Sequence, residues 1–188
     1  NNRRNFLKTM TAAGAGIATI SSASAGSERA EGSQYMGGFI APKLDKVRVA
    51  IIGCGARGGT HYHHLSAIAD TEIVGICDLH QDRAERAKKK VLENDAKRHA
   101  NVKIYAGDKN IYKKMLAELK PDLVYVVTPW ELHTPMCIDA MEAGAHVCVE
   151  VPLCLTVEEA WQIVNVSEKT QKHCMMLENV NYGRDELL

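Results

Sequence analysis

The sequence carries no excess of either charge. Its 188 residues hold 23 Lys and Arg against 23 Asp and Glu, so it lacks the electrostatic footprint that binding nucleic acid or an anionic membrane surface needs. It also lacks an uninterrupted apolar run of about 20 residues, the length that crosses a bilayer, and no stable membrane anchor is expected. None of its six cysteines (Cys54, Cys77, Cys137, Cys148, Cys154 and Cys174) belongs to a Cys-x-x-Cys pair. Cys77, Cys148 and Cys174 sit in apolar, strand-like runs where cysteine acts as a small hydrophobe, so neither a disulfide framework nor a structural zinc site is expected. There is no internal repeat, and no low-complexity segment follows residue 26. What is abundant is apolar: 46% of residues are hydrophobic, too many for a disordered chain, and the length suits one soluble globular domain. The chain opens on Asn1 rather than Met and stops at Leu188 after a polar stretch; it reads as a fragment.

The first 26 residues stand apart from the rest. Arg3-Arg4-Asn5-Phe6-Leu7-Lys8 sets paired arginines before an apolar pair, a mild Ala/Gly-rich run extends from Met10 to Ile20, and Ala23-Ser24-Ala25 supplies small residues for a signal peptidase. The pattern resembles a twin-arginine signal, read by export machinery that moves folded proteins, and implies a periplasmic or extracellular destination. The alternative is a short basic tail. A protein folded in a reducing cytoplasm before export has no need of disulfides. Residues 27–45 read as a linker.

From Lys46 short apolar runs alternate with helix-length amphipathic segments. Strands are expected at Val47 to Ile52, Glu72 to Cys77, Val102 to Tyr105, Leu123 to Val127, His146 to Val149 and Cys174 to Leu177. Helices are expected at Arg57 to Ala69, Asp82 to about Glu93, Asn110 to Leu119, Thr134 to Ala143 with Gly144 as a C′ glycine, and from the capping box Thr156-Val157-Glu158-Glu159 to about Thr170. Alternating strands and helices predict an α/β fold, a parallel, doubly wound (Rossmann) sheet.

Gly53-Cys54-Gly55-Ala56-Arg57-Gly58 follows the first strand and opens the first helix. A lone GxGxxG is weak evidence, but here Asp78 closes the second strand about 20 residues past Gly58, the spacing of a dinucleotide-binding unit. Gly53 permits the tight turn, Gly55 admits a pyrophosphate to the backbone, and Gly58 lets helix and strand pack closely. The helix N-terminus offers free N–H groups and a positive dipole end to the phosphates. Asp78 accepts hydrogen bonds from ribose hydroxyls and repels a 2′-phosphate, favouring NAD over NADP. His61-Tyr62-His63-His64 lies in the first helix with His61 and His64 on one face. No carboxylate or cysteine joins them at ligand spacing, so solvated or substrate-side histidines are the favoured reading, zinc the alternative, and no metal site is assigned.

Two further segments are more specific than the glycines. Thr128-Pro129-Trp130-Glu131-Leu132-His133 follows the fourth strand, and Ala143-Gly144-Ala145-His146-Val147-Cys148-Val149-Glu150-Val151-Pro152 spans the fifth. Together they resemble the Gfo/Idh/MocA family of sugar and inositol oxidoreductases, whose pattern is TPxxxH followed by AGxHVxxEKP. The resemblance covers about residues 46 to 188. The departure is Val151: the family's oxidoreductases carry a lysine there that handles the proton of the hydroxyl being oxidised, and valine has no titratable group. Glu-Val-Pro is normal in the glycoside hydrolase family 109 branch, the NAD-dependent α-N-acetylgalactosaminidases. Ala41-Pro42-Lys43-Leu44-Asp45, Thr128-Pro129-Trp130-Glu131 and Met175-Met176-Leu177-Glu178-Asn179-Val180-Asn181-Tyr182-Gly183-Arg184 are similar to that branch as well. Leu132 stands where the branch has an aromatic.

The resemblance implies NAD as cofactor and cofactor contacts at Gly53, Gly55, Arg57, Gly58, Asp78, Thr128, Trp130, Glu131, Leu132, His133, Glu150, Val151 and Asn179. Tyr182 falls where the catalytic base is expected; the alternative is a strand-end tyrosine packed at a domain junction. Trp130 walls the cofactor or, alternatively, joins the core. The implied reaction hydrolyses a carbohydrate with terminal N-acetylgalactosamine by transient oxidation at C3, elimination, water addition and re-reduction. An ordinary NAD-dependent sugar dehydrogenase and a non-catalytic NAD-binding protein are the alternatives. The NAD-binding domain is expected at residues 46–180, with residues 181–188 opening a second, antiparallel α+β domain. A homo-oligomer is left open by the sequence.

Overall fold

A computed structural model of the chain describes residues 34–178. The expected signal at residues 1–26 and the positions Asn179 and Tyr182 lie outside the described residues. Six strands, β1 (Val47–Ile52), β2 (Thr71–Asp78), β3 (Lys103–Ala106), β4 (Leu123–Val126), β5 (His146–Glu150) and β6 (Cys174–Leu177), alternate with five helices. The helices are α1 (Ala56–Ala67), α2 (Gln81–Asp95), α3 (Ile111–Leu119), α4 (His133–Glu142) and α5 (Val157–Thr170), with a 3₁₀ turn at Trp130–Leu132 leading into α4. All pairings are parallel, in the order β3-β2-β1-β4-β5-β6. Every expected element is present, with ends displaced by a few residues.

The strands are near-continuous apolar runs because both faces are covered, the condition that parallel sheets impose. Val49 and Ile51 project into a core shared with Tyr62 and Leu65 of α1 and Ala84, Ala87 and Val91 of α2. Their neighbours Ala50 and Ile52 project to the other side, where Val124, Val126, Val147 and Val149 meet Met115 and Leu116 of α3, Met136 and Ala140 of α4 and Ile163 of α5. The period-2 alternation of side chains thus feeds two cores, one per layer of helices. The order changes sense at β1: the chain steps outward to β2 and β3, then crosses back to place β4 on the other side of β1. The helices that follow β1 and β4 leave to opposite faces of the sheet there, and in open α/β sheets such a switch point is where ligands bind.

Two local signals behave as expected. Thr156 Oγ1 accepts from the Glu159 N–H at 3.1 Å and Glu159 Oε2 accepts from the Thr156 N–H at 3.2 Å, closing the capping box of α5. Gly144, at φ +95°, follows the last turn of α4. Residues 34–45 hold no helix or strand, yet they do not hang free. The Gln34 N–H donates to Glu168 O, and the Phe39 ring lies 5.2 Å from that of His173, so part of the expected linker lies against the end of α5 and the approach to β6. All six cysteines are free thiols. Among the described residues no helix is long and apolar enough to cross a membrane.

Candidate cofactor site

The cleft at the switch point has a volume of about 380 Å3 and opens over the C-terminal ends of β1, β2 and β4. Its floor is the glycine turn. Gly53 sits at φ +98°, and a Cβ there would lie 2.2 Å from Val127 O, so only glycine lets β1 turn beside β4. A Cβ at Gly58 would lie 2.3 Å from Gly53 O, which ties the start of α1 directly onto the turn. Gly55 is different: at φ −67° and ψ −160° any residue is tolerated, and the nearest atom to its Cβ position is Arg83 Nη1 at 4.0 Å. The protein itself leaves that space clear, as the approach of a pyrophosphate to the backbone requires. Gly55 is also the N-cap of α1 and uses no side chain to cap it, so the first N–H groups of the helix remain for an anion.

Asp78 closes β2 in the lining of this cleft. Its Oδ2 accepts from the Cys54 N–H at 2.7 Å and its Oδ1 from the His80 N–H at 2.9 Å. Each carboxylate oxygen keeps further acceptor capacity, so the two backbone bonds orient Asp78 without exhausting it. Cys54 and Cys77 flank the carboxylate as neutral thiols: burial, then the charge of Asp78, pushes Cys77 up to about 12 and raises Cys54 further. Neither thiol therefore adds a negative charge beside Asp78; the further carboxylate in the lining is Asp108. Arg57, Arg83 and Lys109 line the same cleft and supply positive charge. The donor set fits a dinucleotide: free N–H groups and cations for the phosphates, an oriented carboxylate for the ribose.

Of the residues expected from the sequence, Gly53, Gly55, Arg57, Asp78, Thr128 and Leu132 line the cleft, with Gly58 packed directly beneath its floor. Trp130 is 62% exposed in the 3₁₀ turn, which places it outside the core. Glu131 faces a neighbouring groove between α3 and α4. His133 is fully buried, with Nδ1 2.7 Å from Pro152 O and Nε2 2.8 Å from Thr128 O. Its ring is taken up in bridging the Thr-Pro loop to the Val151-Pro152 loop, whose Val151–Pro152 bond is cis, so it shapes the site through those backbones. Val151 is exposed at the end of β5.

Glu150 is nearly buried, and its Oε1 accepts from Arg57 Nε at 2.7 Å and meets His61 Nε2 at 2.6 Å. Burial opposes its ionisation, but the hydrogen bonds from His61 and Arg57 and the Arg57 charge outweigh that and hold the carboxyl below its usual range. The expectation of solvated or substrate-side histidines is therefore corrected for His61, which turns inward to Glu150, while His63 and His64 are exposed. Sequence reasoning also missed Arg83, Lys109 and His80 in the lining. Arg83, in the first turn of the helix after Asp78, carried a usable signal; Lys109 enters only through the loop after β3. Among the described residues no group of three or more His, Cys, Asp or Glu side chains is placed to hold a metal ion.

Strand order, glycine turn and terminal Asp78 define the class, a Rossmann domain with its ligand cleft at the switch point. The chain belongs to the Gfo/Idh/MocA oxidoreductase family: residues 47–178 match the family model described as an oxidoreductase family with an NAD-binding Rossmann fold. The resemblance to the glycoside hydrolase family 109 branch also stands. Glycosyl hydrolase family 109 protein 1 of Akkermansia muciniphila is 50% identical over 160 residues, covering 85% of this chain and 33% of that protein. The alpha-N-acetylgalactosaminidase of Shewanella oneidensis is 43% identical over 191 residues, covering 99% of this chain and 41% of that protein. The crystal structure of an NAD-binding protein from Listeria innocua aligns with a TM-score of 0.62 at 31% identity, covering 74% of this chain and 37% of that one. The chain spans less than half the length of these relatives, and the second domain expected from the sequence is not covered by it.

Proposed function

We propose that the protein is the cofactor-binding part of an NAD-dependent glycosidase that releases terminal N-acetylgalactosamine. The observation that carries this reading is Val151, an exposed valine directly after Glu150, whose carboxylate holds the cleft residue Arg57. By the resemblance the family's oxidoreductases carry a proton-handling lysine at this position, whereas Glu-Val-Pro is the pattern of the glycoside hydrolase family 109 branch, in which another group must take that proton. The names of the relatives support the same assignment.

Bound in this cleft, NAD would supply a reversible hydride acceptor at C3 of the sugar. The C3 hydroxyl gives up its proton to water as the hydride leaves, the C2 proton passes to a base, the C1 substituent departs protonated and water adds at C1, and the C2 proton and the C3 hydride and proton return before release. The chain's own residues bind and orient. The N–H groups at the start of α1, with Arg57, Arg83 and Lys109, meet the pyrophosphate, Asp78 takes the ribose hydroxyls, and Thr128 and Leu132 wall the far end. Val151 brings no proton-exchanging group to the end of β5. Tyr182 is the proposed base for the C2 proton. Export through the twin-arginine route, to a periplasmic or extracellular site, is part of the proposal: a cofactor that is not consumed can travel inside a protein exported folded.

The test uses the full-length protein with a chromogenic N-acetyl-α-galactosaminide in deuterated water. Deuterium at C2 of the released sugar, with no net NADH, is the expected outcome. Accumulation of NADH in proportion to substrate, with no deuterium at C2, assigns the protein to the sugar dehydrogenases instead. Binding of NAD with neither product leaves a non-catalytic NAD-binding protein.

A further inference from the structure

The contact between His61 and Glu150 lies outside the lining of the cleft and joins residues 89 apart in the chain. Arg57 and His61 stand four residues apart on α1 and so share one face of it. Both reach the same oxygen, Oε1, of the carboxylate that ends β5. Of the three side chains only the guanidinium opens onto the cleft: Arg57 is 51% exposed, against 16% for His61 and 11% for Glu150. A long, half-exposed arginine loses considerable rotamer freedom when fixed, and a carboxylate fixes it well only if the carboxylate is itself held. Val151's own N–H, at 3.2 Å from Oε2, is a weak restraint. His61 is the stiff one, with its ring 5.7 Å from that of Tyr125 on β4. An ionised carboxylate only accepts, so Nε2 carries the hydrogen and donates.

We propose that His61 is a positioning residue: it holds the Glu150 carboxylate so that Arg57 is presented to the dinucleotide cleft in one orientation. The proposal rests on the reading of that cleft as the NAD site. It gives the first helix a second task, with its N-terminus meeting the phosphates and its second turn locking, through β5, the cation that meets them.

The groups facing Glu150 are Arg57 and His61 from α1 and the Val151 N–H from its own loop, with Tyr125 of β4 beside His61 and Cys148 of β5 against Tyr125. Two variants separate hydrogen bonding from packing. His61→Leu keeps an apolar body against Tyr125 and removes the donor; His61→Gln keeps a side-chain N–H. NAD affinity is measured by calorimetry from pH 4 to 8 on the full chain, with unfolding temperature followed over the same range without NAD.

His61→Leu is expected to weaken NAD by roughly 5- to 10-fold, a part of what a charge-assisted hydrogen bond carries when it acts one residue away from the ligand. It is also expected to move the acid limb of both profiles to higher pH, because Glu150 has lost a donor that favours its ionised form. His61→Gln returns most of both. A merely structural histidine would lower the unfolding temperature without moving the acid limb. Equal NAD affinity and equal acid limbs for the Leu and Gln variants overturn the proposal. Failure of the unsubstituted protein to bind NAD overturns the cofactor reading itself, a distinct result.

Discussion

Alanine at Gly55 separates glycines that serve the fold from the glycine that serves the ligand. At φ −67° and ψ −160° the backbone accepts alanine without strain, and no atom of the protein lies closer than 4.0 Å to the new Cβ. Two small effects on stability then oppose each other. Alanine reduces the freedom of the unfolded chain by about 0.4 to 1 kcal/mol, and it is a poorer N-cap than glycine by roughly similar amounts. The unfolding temperature should stay within about 2–4 °C of the original, the shift that 1 kcal/mol produces in a chain of this size. The methyl group does, however, occupy the space over which the pyrophosphate must pass. Overpacking of that kind costs about 1–3 kcal/mol, equivalent to NAD binding weaker by roughly 5- to 150-fold. Gly58→Ala should give the opposite signature. Its Cβ would sit 2.3 Å from the backbone oxygen of Gly53, so the turn and α1 must part, and the unfolding temperature should fall by about 2–12 °C on the same scale. Calorimetric NAD titrations paired with thermal unfolding of both variants make the comparison. If Gly55→Ala binds NAD as the unsubstituted protein does, the phosphates do not cross Gly55 and the fit argued for this cleft is wrong.

Asp78→Ala should weaken NAD by about 1–3 kcal/mol, the range for hydrogen bonds to a charged group, and relax discrimination against NADP; equal affinity of the unsubstituted protein for the two cofactors would remove its assigned role. Glu150 is held below its usual carboxylate range despite burial. Its stabilising contribution is therefore complete above the unfolded-state value and is lost as pH falls through the lower folded value. Glu150→Gln should accordingly lower stability at neutral pH and flatten the acid limb of the stability profile, as read by denaturant midpoints from pH 3 to 7. Replacing Arg3 and Arg4 together by lysine should leave uncleaved precursor in the cytoplasm, seen by fractionation, and normal export of the double variant would reject the twin-arginine route. Tyr182→Phe should suppress C2 deuterium exchange and hydrolysis by roughly 10²- to 10⁴-fold, as expected for a lost general base, while NAD titration shows binding nearly unchanged.

Strand and helix order, the glycine turn, Asp78 and the capping box of α5 were legible in the sequence because each depends on residues close together in the chain. Apolar period, a φ that only glycine tolerates, and a Thr three residues before a Glu are local properties, and parallel strands buried on both faces announce themselves by unbroken apolar runs. The expected cofactor residues were assigned by motif position, and motif position does not state where a side chain points. His133 shares a motif with Thr128 and Leu132, which line the cleft, yet it is buried and bridges two backbone loops. Trp130, open to either a core or a cofactor role, stands exposed in a 3₁₀ turn. His61 looked like one of a run of helix-surface histidines, and only the packing of α1 against the sheet, with the His61 ring beside Tyr125, brings it to Glu150. The pairings of Glu150 with Arg57 and His61 span 93 and 89 residues. Local propensity determined which elements form and in what order; the crossing of helix over sheet, which depends on packing both cores at once, decided which charged side chains meet.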